Sequence, residues 1–111
     1  MKKIAMIGTG YVGIVSGAGL SGIGHHVICA DIDQKKISML ESGKIPIYEP
    51  GLELLVHNNV KAGRLSFSID PASAIRSSDI IFIAVGTPQS NNGEADLSAV
   101  KIVAKTISEN L

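Results

Sequence analysis

Six residues near the start of the chain, Gly8-Thr9-Gly10-Tyr11-Val12-Gly13, stand directly after the apolar run Ile4-Ala5-Met6-Ile7. A second apolar run ends on Asp31, 18 positions after Gly13. Glycines at this spacing between a strand and a helix suit one task, holding a diphosphate against bare backbone. Gly8 permits a sharp turn off the strand, Gly10 leaves room for the phosphates, and Gly13 lets the helix approach the sheet closely. The phosphates would rest on the helix N-terminus, where unpaired amides and the helix dipole attract an anion without a basic side chain. A carboxylate at Asp31 can accept from both ribose hydroxyls and repel a 2′-phosphate, which favours NAD over NADP.

Three further groups belong to the same chemistry. Lys36 stands three residues after Asp33, in the first turn of a second helix, where a cation is mildly unfavourable unless something anionic faces it. Asp31 or the adenosine end of the cofactor is the expected partner. Thr87 and Pro88 follow the fourth strand, opposite the glycine turn, and Gly86 permits close backbone approach there. By contrast His25 and His26 read as turn residues, because His26 and Cys29 are not spaced for one face of a strand, and no metal site is expected. Cys29, the single cysteine, lies between Ile28 and Ala30 and reads as a small core residue, not a nucleophile.

The elements that must position these groups alternate strand and helix, which predicts an α/β layer structure with a parallel sheet. Strands are expected at Lys3–Ile7, Val27–Ala30, Leu65–Ser68 and Ile80–Val85. The first and last are continuously apolar, as strands covered on both faces must be. The first helix is expected over Gly13–Ile23, with Gly17 pressing on the sheet one turn after Gly13. Asp33 caps a second helix to Glu41, and Gly43 stops it. Pro50 opens a third helix whose stripe is Leu52, Leu55, Val56 and Val60, ending before Gly63. Asp70-Pro71 starts a short helix to Arg76, and Asp96 caps the last one. That last helix is expected to bury Leu97, Val100, Ala104, Ile107 and Leu111 while Lys101, Lys105 and Glu109 face water. Tyr48-Glu49-Pro50-Gly51 falls in a long crossover and reads as a helix-initiating loop.

Right-handed crossovers then give a Rossmann-type doubly wound sheet with strand order 3-2-1-4. The order reverses between strands 1 and 4, so the ligand crevice is expected between Gly8–Gly13 and Gly86-Thr87-Pro88-Gln89. Ser90-Asn91-Asn92-Gly93 reads as a polar loop. With 111 residues the chain is one domain, expected to be half of a dinucleotide-binding unit within a longer enzyme. Ten basic residues balance ten acidic ones, so neither nucleic acid nor an anionic membrane surface is an expected partner. No apolar stretch reaches the roughly 20 residues of a membrane span, and a cytoplasmic protein is expected.

Five segments together resemble one family, the UDP-glucose/GDP-mannose dehydrogenases. They are Gly8-Thr9-Gly10-Tyr11-Val12-Gly13, Asp31-Ile32-Asp33 with Lys36, Pro46-Ile47-Tyr48-Glu49-Pro50-Gly51-Leu52, Val85-Gly86-Thr87-Pro88, and Ala95-Asp96-Leu97. Gly86 and the Tyr48 segment are more similar to the UDP-glucose branch than to the N-acetylmannosamine branch. The resemblance implies NAD contacts from Gly8, Gly10, Tyr11, Val12 and Gly13 at the phosphates and from Asp31 and Lys36 at the adenine ribose. Val85, Gly86, Thr87 and Pro88 would meet the cofactor at the loop after the fourth strand.

The resemblance further implies oxidation of the sugar 6-hydroxyl of a nucleotide sugar in two steps, UDP-glucose to UDP-glucuronate, reducing two NAD through a thiohemiacetal on a cysteine. That cysteine and its helpers match nothing up to residue 111, Cys29 included, so no catalytic residue is expected here. A homodimer or larger homo-oligomer is implied for the full-length enzyme. Two other readings stay open at this point. One is the cofactor domain of a hydroxyacid or hydroxyacyl-CoA dehydrogenase, which would not carry the Tyr48-to-Leu52 segment. The other is a non-catalytic nucleotide-sensing module, since one scaffold hosts many functions.

Overall fold

The computed structural model describes residues 2–86 and 97–110. Thr87, Pro88, the polar loop at 90–93, the Asp96 cap and Leu111 lie outside the described residues. The elements run β1 (Lys3–Ile7), α1 (Tyr11–Gly22), β2 (His26–Ala30), α2 (Gln34–Glu41), α3 (Leu52–Lys61), β3 (Leu65–Ser68), α4 (Pro71–Arg76), β4 (Ile80–Ile83) and α5 (Ser98–Asn110). Four parallel strands form one sheet in the order β3-β2-β1-β4, as the crossover rule predicts.

Alternation along the central strands divides the core into two layers. Ile4 and Met6 of β1, with Val27 and Cys29 of β2, join Ile14 and Ala18 of α1, Ile37 and Leu40 of α2, and Leu52 and Val56 of α3. Their neighbours Ala5, Ile7 and Ala30 face the other way, onto Ala74 and Ile75 of α4, with Val103 and Ile107 of α5 packed alongside. Each buried Ile, Leu or Val contributes about 1.5–3 kcal/mol relative to exposure. The layers therefore fix β1 and β2 in the core, and the loops at their carboxyl ends start from buried residues on both strands.

Helix α1 approaches β2 closely because Gly17 has no side chain. A Cβ built at Gly17 would lie 2.6 Å from the Cys29 Sγ atom. Cys29 is fully buried, and burial pushes its thiol up to about 12. It is the core residue its apolar neighbours predict.

Helix starts follow local chemistry. The Asp33 carboxylate accepts from the amides of Lys35 and Lys36 at 3.0 and 3.3 Å, and Asp70 accepts from the Ser73 amide at 3.2 Å ahead of Pro71 at the first helical position. Gly43 follows α2 with φ +89°, a conformation that favours glycine.

Seven local expectations change. β4 is not covered on both faces: Ile80, Phe82 and Ile83 are 39, 43 and 42 % exposed, because among the described residues β4 pairs only with β1 and is an edge strand. α1 opens at Tyr11, directly after Gly10, and His26 is the first residue of β2, paired with Lys3, instead of a turn residue. β4 pairs only to Ile83, because Gly8 turns β1 away, although the Ala84 amide still donates to the Ile7 carbonyl at 2.7 Å. α3 opens at Leu52, with Pro50 in the preceding turn and left-handed Gly51 as its N-cap. Val60 is 44 % exposed while Asn59 is 2 % exposed, because i+7 lies nearer the Leu52 direction than i+8. The buried Asn59 side-chain oxygen Oδ1 accepts from Arg64 Nε and Nη2 at 3.2 and 3.0 Å, and Arg64 Nε also donates to the Ser21 backbone carbonyl at 3.1 Å. Finally, α5 buries no residue completely; its half-buried side carries Val100 and Ile107 as expected, but Val103 and Thr106 in place of Leu97 and Ala104.

Candidate functional site: the glycine turn and its acid

The site grows out of the end of β1. Gly8 has φ +114°, and its amide donates to the Ala30 carbonyl at 2.8 Å, so the chain leaves the sheet while still tied to β2. A side chain at Gly8 would lie 2.5 Å from the Ala84 carbonyl oxygen, and one at Gly13 would collide with the Gly8 carbonyl. These two glycines answer to the protein's own backbone.

Gly10 is different. Its φ and ψ of −78° and −165° are open to any residue, and a Cβ there would meet nothing within 4 Å. It is the N-cap of α1, yet no side chain caps the helix and no acidic residue lies in its first turn. The first intrahelical bond is Ile14 N–H to the Gly10 carbonyl at 3.0 Å, so the amides at the head of the helix have no intrahelical acceptor. Vacant space, unused donors and a positive dipole end coincide, which is the fit a diphosphate requires.

Asp31 closes the other side of the turn. Its Oδ2 accepts from both the Thr9 amide at 3.0 Å and the Thr9 hydroxyl at 2.7 Å, while Oδ1 accepts from the Asp33 amide at 3.0 Å. Partial burial pushes this carboxyl up, but those three donors and the charge of Lys36 together outweigh it, and the carboxyl sits below the usual carboxylate range. Lys36, in the first turn of α2, is thus close enough for its charge to act on Asp31.

Beside Asp31 lies a largely apolar cleft of about 140 Å³. Gly8, Asp31 and Ile32 line it together with Val85, Ile75 of α4 and Val103 of α5. Ile32 is 84 % exposed despite its size, which suits it to cover a flat apolar ligand group. Val85, two residues beyond the end of β4, lines the same cleft as Asp31. A Cβ at Gly86 would meet nothing within 4 Å.

Tyr11 and Val12, in the first turn of α1, are both exposed. The Tyr11 hydroxyl donates to Glu49 Oε2 at 3.0 Å, and this hydrogen bond to a carboxylate raises the phenol above its ordinary value. Glu49 also begins a turn, its carbonyl accepting from the Leu52 amide at 3.0 Å, so it does more than the loop role expected of it. Among the described residues, no group of three or more His, Cys, Asp or Glu is placed to hold a metal ion, and no helix is long and apolar enough to cross a membrane.

Sequence reasoning missed Thr9, Ile32 and the cleft walls on α4 and α5. A threonine between two motif glycines was a visible signal, but its acceptor lies 22 residues away. The walls come from elements whose approach only the tertiary structure reveals.

Comparison with known proteins fits this geometry. Residues 2–111 match the model of the UDP-glucose/GDP-mannose dehydrogenase family, NAD binding domain. UDP-glucose 6-dehydrogenase TuaD of Bacillus subtilis is 63 % identical over 111 residues, covering 100 % of this chain and 24 % of that protein. UDP-glucose 6-dehydrogenase of Rhizobium meliloti is 54 % identical over 110 residues, covering 98 % and 25 %.

Among solved structures, a UDP-glucose dehydrogenase from Pyrobaculum islandicum superposes with TM-score 0.94 at 37 % identity, covering 99 % of this chain and 26 % of that one. A GDP-mannose dehydrogenase from Pseudomonas aeruginosa gives 0.90 at 44 %, covering 95 % and 24 %. The chain thus spans about a quarter of the length of the relatives it matches. From glycine turn to half-buried acid, it belongs to the UDP-glucose/GDP-mannose dehydrogenase family and forms that family's NAD binding domain.

Proposed function

We propose that this chain is the cofactor-holding domain, residues 1–111, of a longer enzyme that oxidises the 6-hydroxyl of UDP-glucose to UDP-glucuronate while two NAD are reduced. The observation that carries the cofactor part is the vacant N-terminus of α1 at Gly10 beside an ionised, pre-oriented Asp31. The names of the two bacterial relatives, each sharing more than half of this chain's residues, support UDP-glucose as the sugar nucleotide.

In this reading Gly8 and Gly13 shape the turn, and Gly10 with the amides of Tyr11 and Val12 cradles the diphosphate. Asp31 accepts from the adenosine ribose, and Lys36 balances its charge. Ile32 and Val85 flank the adenine, with Gly86, Thr87 and Pro88 continuing the opposite loop. NAD supplies the hydride acceptor. The carboxylate at Asp31 disfavours a 2′-phosphate by like charge, which selects NAD over NADP. Catalytic groups would come from outside residues 1–111, and the complete enzyme would act in the cytoplasm as a homo-oligomer.

Two measurements test this. Calorimetric titration of the folded 111-residue chain with NAD should give saturable binding well below millimolar concentration, with NADP at least tenfold weaker; no heat from a folded sample at millimolar NAD refutes the cofactor reading. In the complete enzyme, UDP-glucose should yield two reduced cofactors per sugar. Preference for GDP-mannose would refute the substrate.

A further inference from the structure

Thr9 makes no use of its position between two motif glycines except to reach Asp31. It is 3 % exposed, and its amide and hydroxyl both donate to the same carboxylate oxygen, at 3.0 and 2.7 Å. A carboxylate offers about four lone-pair sites, and with the Asp33 amide three are filled from within the protein, which leaves one on Oδ1 for a single ribose hydroxyl instead of the pair expected from the sequence. The side chain of Asp31 therefore cannot rotate freely to meet a ligand. We infer that Thr9 is a positioning residue, whose hydroxyl locks the Asp31 carboxylate against the glycine turn so that the diphosphate cradle and the ribose acceptor form one preorganised unit.

Two consequences of the geometry support this. The hydroxyl-to-carboxylate bond is short and charge-assisted, the stronger class of hydrogen bond, and its donor is shielded from competing water. The second concerns the backbone: Thr9 follows Gly8, whose amide is held by Ala30, so the donor itself is anchored to β2 one residue before Asp31. Bond, turn and acid make a closed ring of contacts across the carboxyl ends of β1 and β2. A ligand then meets an acceptor already aimed, and the ordering cost is not charged against affinity.

The inference rests on the NAD reading above, and the test separates the two. Three variants of the 111-residue chain are compared with the native one by calorimetry: Thr9→Val, which keeps the shape and loses the donor, Thr9→Ser, which restores it, and Thr9→Ala as a second deletion should the valine fail to fold. Thr9→Val or Thr9→Ala should raise the NAD dissociation constant about tenfold, and Thr9→Ser should return it to within about twofold. Against 2′,3′-dideoxy-ADP, which keeps the diphosphate and lacks the ribose diol, the penalty should vanish.

The acid limb of NAD binding supplies an independent readout. Loss of a donor that stabilises the carboxylate raises its proton affinity, so binding in Thr9→Val should fail at a higher pH than in the native chain. The charged groups nearest in the chain and in effect, Asp33 and Lys36, are unchanged in every variant. An unaltered NAD affinity and acid limb in the donor-deleted variants overturns the inference, as does an equal penalty against the dideoxy ligand. Failure of the native chain to bind NAD overturns both this inference and the reading beneath it.

Discussion

Replacing the three motif glycines one at a time by alanine should separate what the fold needs from what the ligand needs. At Gly13 the added methyl collides with the Gly8 carbonyl. Overpacking of that kind costs about 1–3 kcal/mol, and here backbone rather than a flexible side chain must yield. Better helix propensity returns at most about 1 kcal/mol. At Gly8 the methyl meets the Ala84 carbonyl oxygen at 2.5 Å, and φ +114° adds strain of about 1–3 kcal/mol. Gly13→Ala should therefore lose up to about 3 kcal/mol and Gly8→Ala about 2–6 of the roughly 5–15 that a domain possesses.

Gly10→Ala should behave in the opposite way. Its backbone angles suit alanine and its Cβ has open space. Alanine is a poorer N-cap than glycine by less than about 1 kcal/mol, while reduced freedom of the unfolded chain returns about 0.4–1 kcal/mol. Stability should therefore stay within about 1 kcal/mol of native. The methyl would, however, occupy the room proposed for the diphosphate, and a misfit of about 1.5–3 kcal/mol weakens binding by about ten- to a hundredfold. Urea unfolding gives the first quantity and NAD calorimetry the second. A folded Gly10→Ala chain that binds NAD with native affinity refutes the placement of the diphosphate, and a Gly13→Ala chain of native stability refutes the tight approach of α1.

Three further outcomes are expected. Lys36→Ala should weaken NAD binding several-fold in calorimetry, because Asp31 loses the cation whose charge acts on it; unchanged affinity would remove Lys36 from the site. Gly17→Ala should destabilise the chain by about 1–3 kcal/mol in urea melts, with much of the loss recovered in Gly17→Ala/Cys29→Ala, since the clash is with the Cys29 sulfur; the native thiol, pushed up to about 12, should react with a thiol reagent only as fast as the chain unfolds. The depressed Asp31 carboxyl contributes stability above the ordinary carboxylate range that is lost as pH falls through its folded value. Melts between neutral pH and about pH 3 should accordingly show less acid sensitivity in Asp31→Asn than in the native chain.

Legibility in the sequence followed the range of the forces involved. Lys3–Ile7 and Leu65–Ser68 are found where their apolar runs and flanking breakers place them, and the Asp33 and Asp70 caps are local hydrogen bonds within three residues. The strand order needed only crossover handedness. Errors arose where a tertiary contact decides: Asn59 is buried because Arg64, itself held by the Ser21 carbonyl of α1, donates to its side-chain oxygen, which a hydrophobic stripe cannot foresee. The weak burial of α5 likewise depends on how little lies over it. Within the site, Asp31 was legible from spacing, but the reason it is ionised and aimed was not. Three hydrogen bonds and the charge of Lys36 act on it together, and the two bonds from Thr9 reach it from the end of a different strand.

The Tyr11 to Glu49 hydrogen bond carries a practical corollary. The chain contains two tyrosines and no tryptophan, so its absorption near 280 nm, roughly where phenols absorb and phenylalanine does not, belongs to Tyr11 and Tyr48. Tyr48 is 98 % exposed and reports bulk water, whereas Tyr11 stands one residue beyond the Gly10 cap with its phenol engaged by a carboxylate. The molecule thus carries a built-in chromophore at the mouth of its cofactor turn, and occupancy there can be followed by difference spectroscopy without attaching a label.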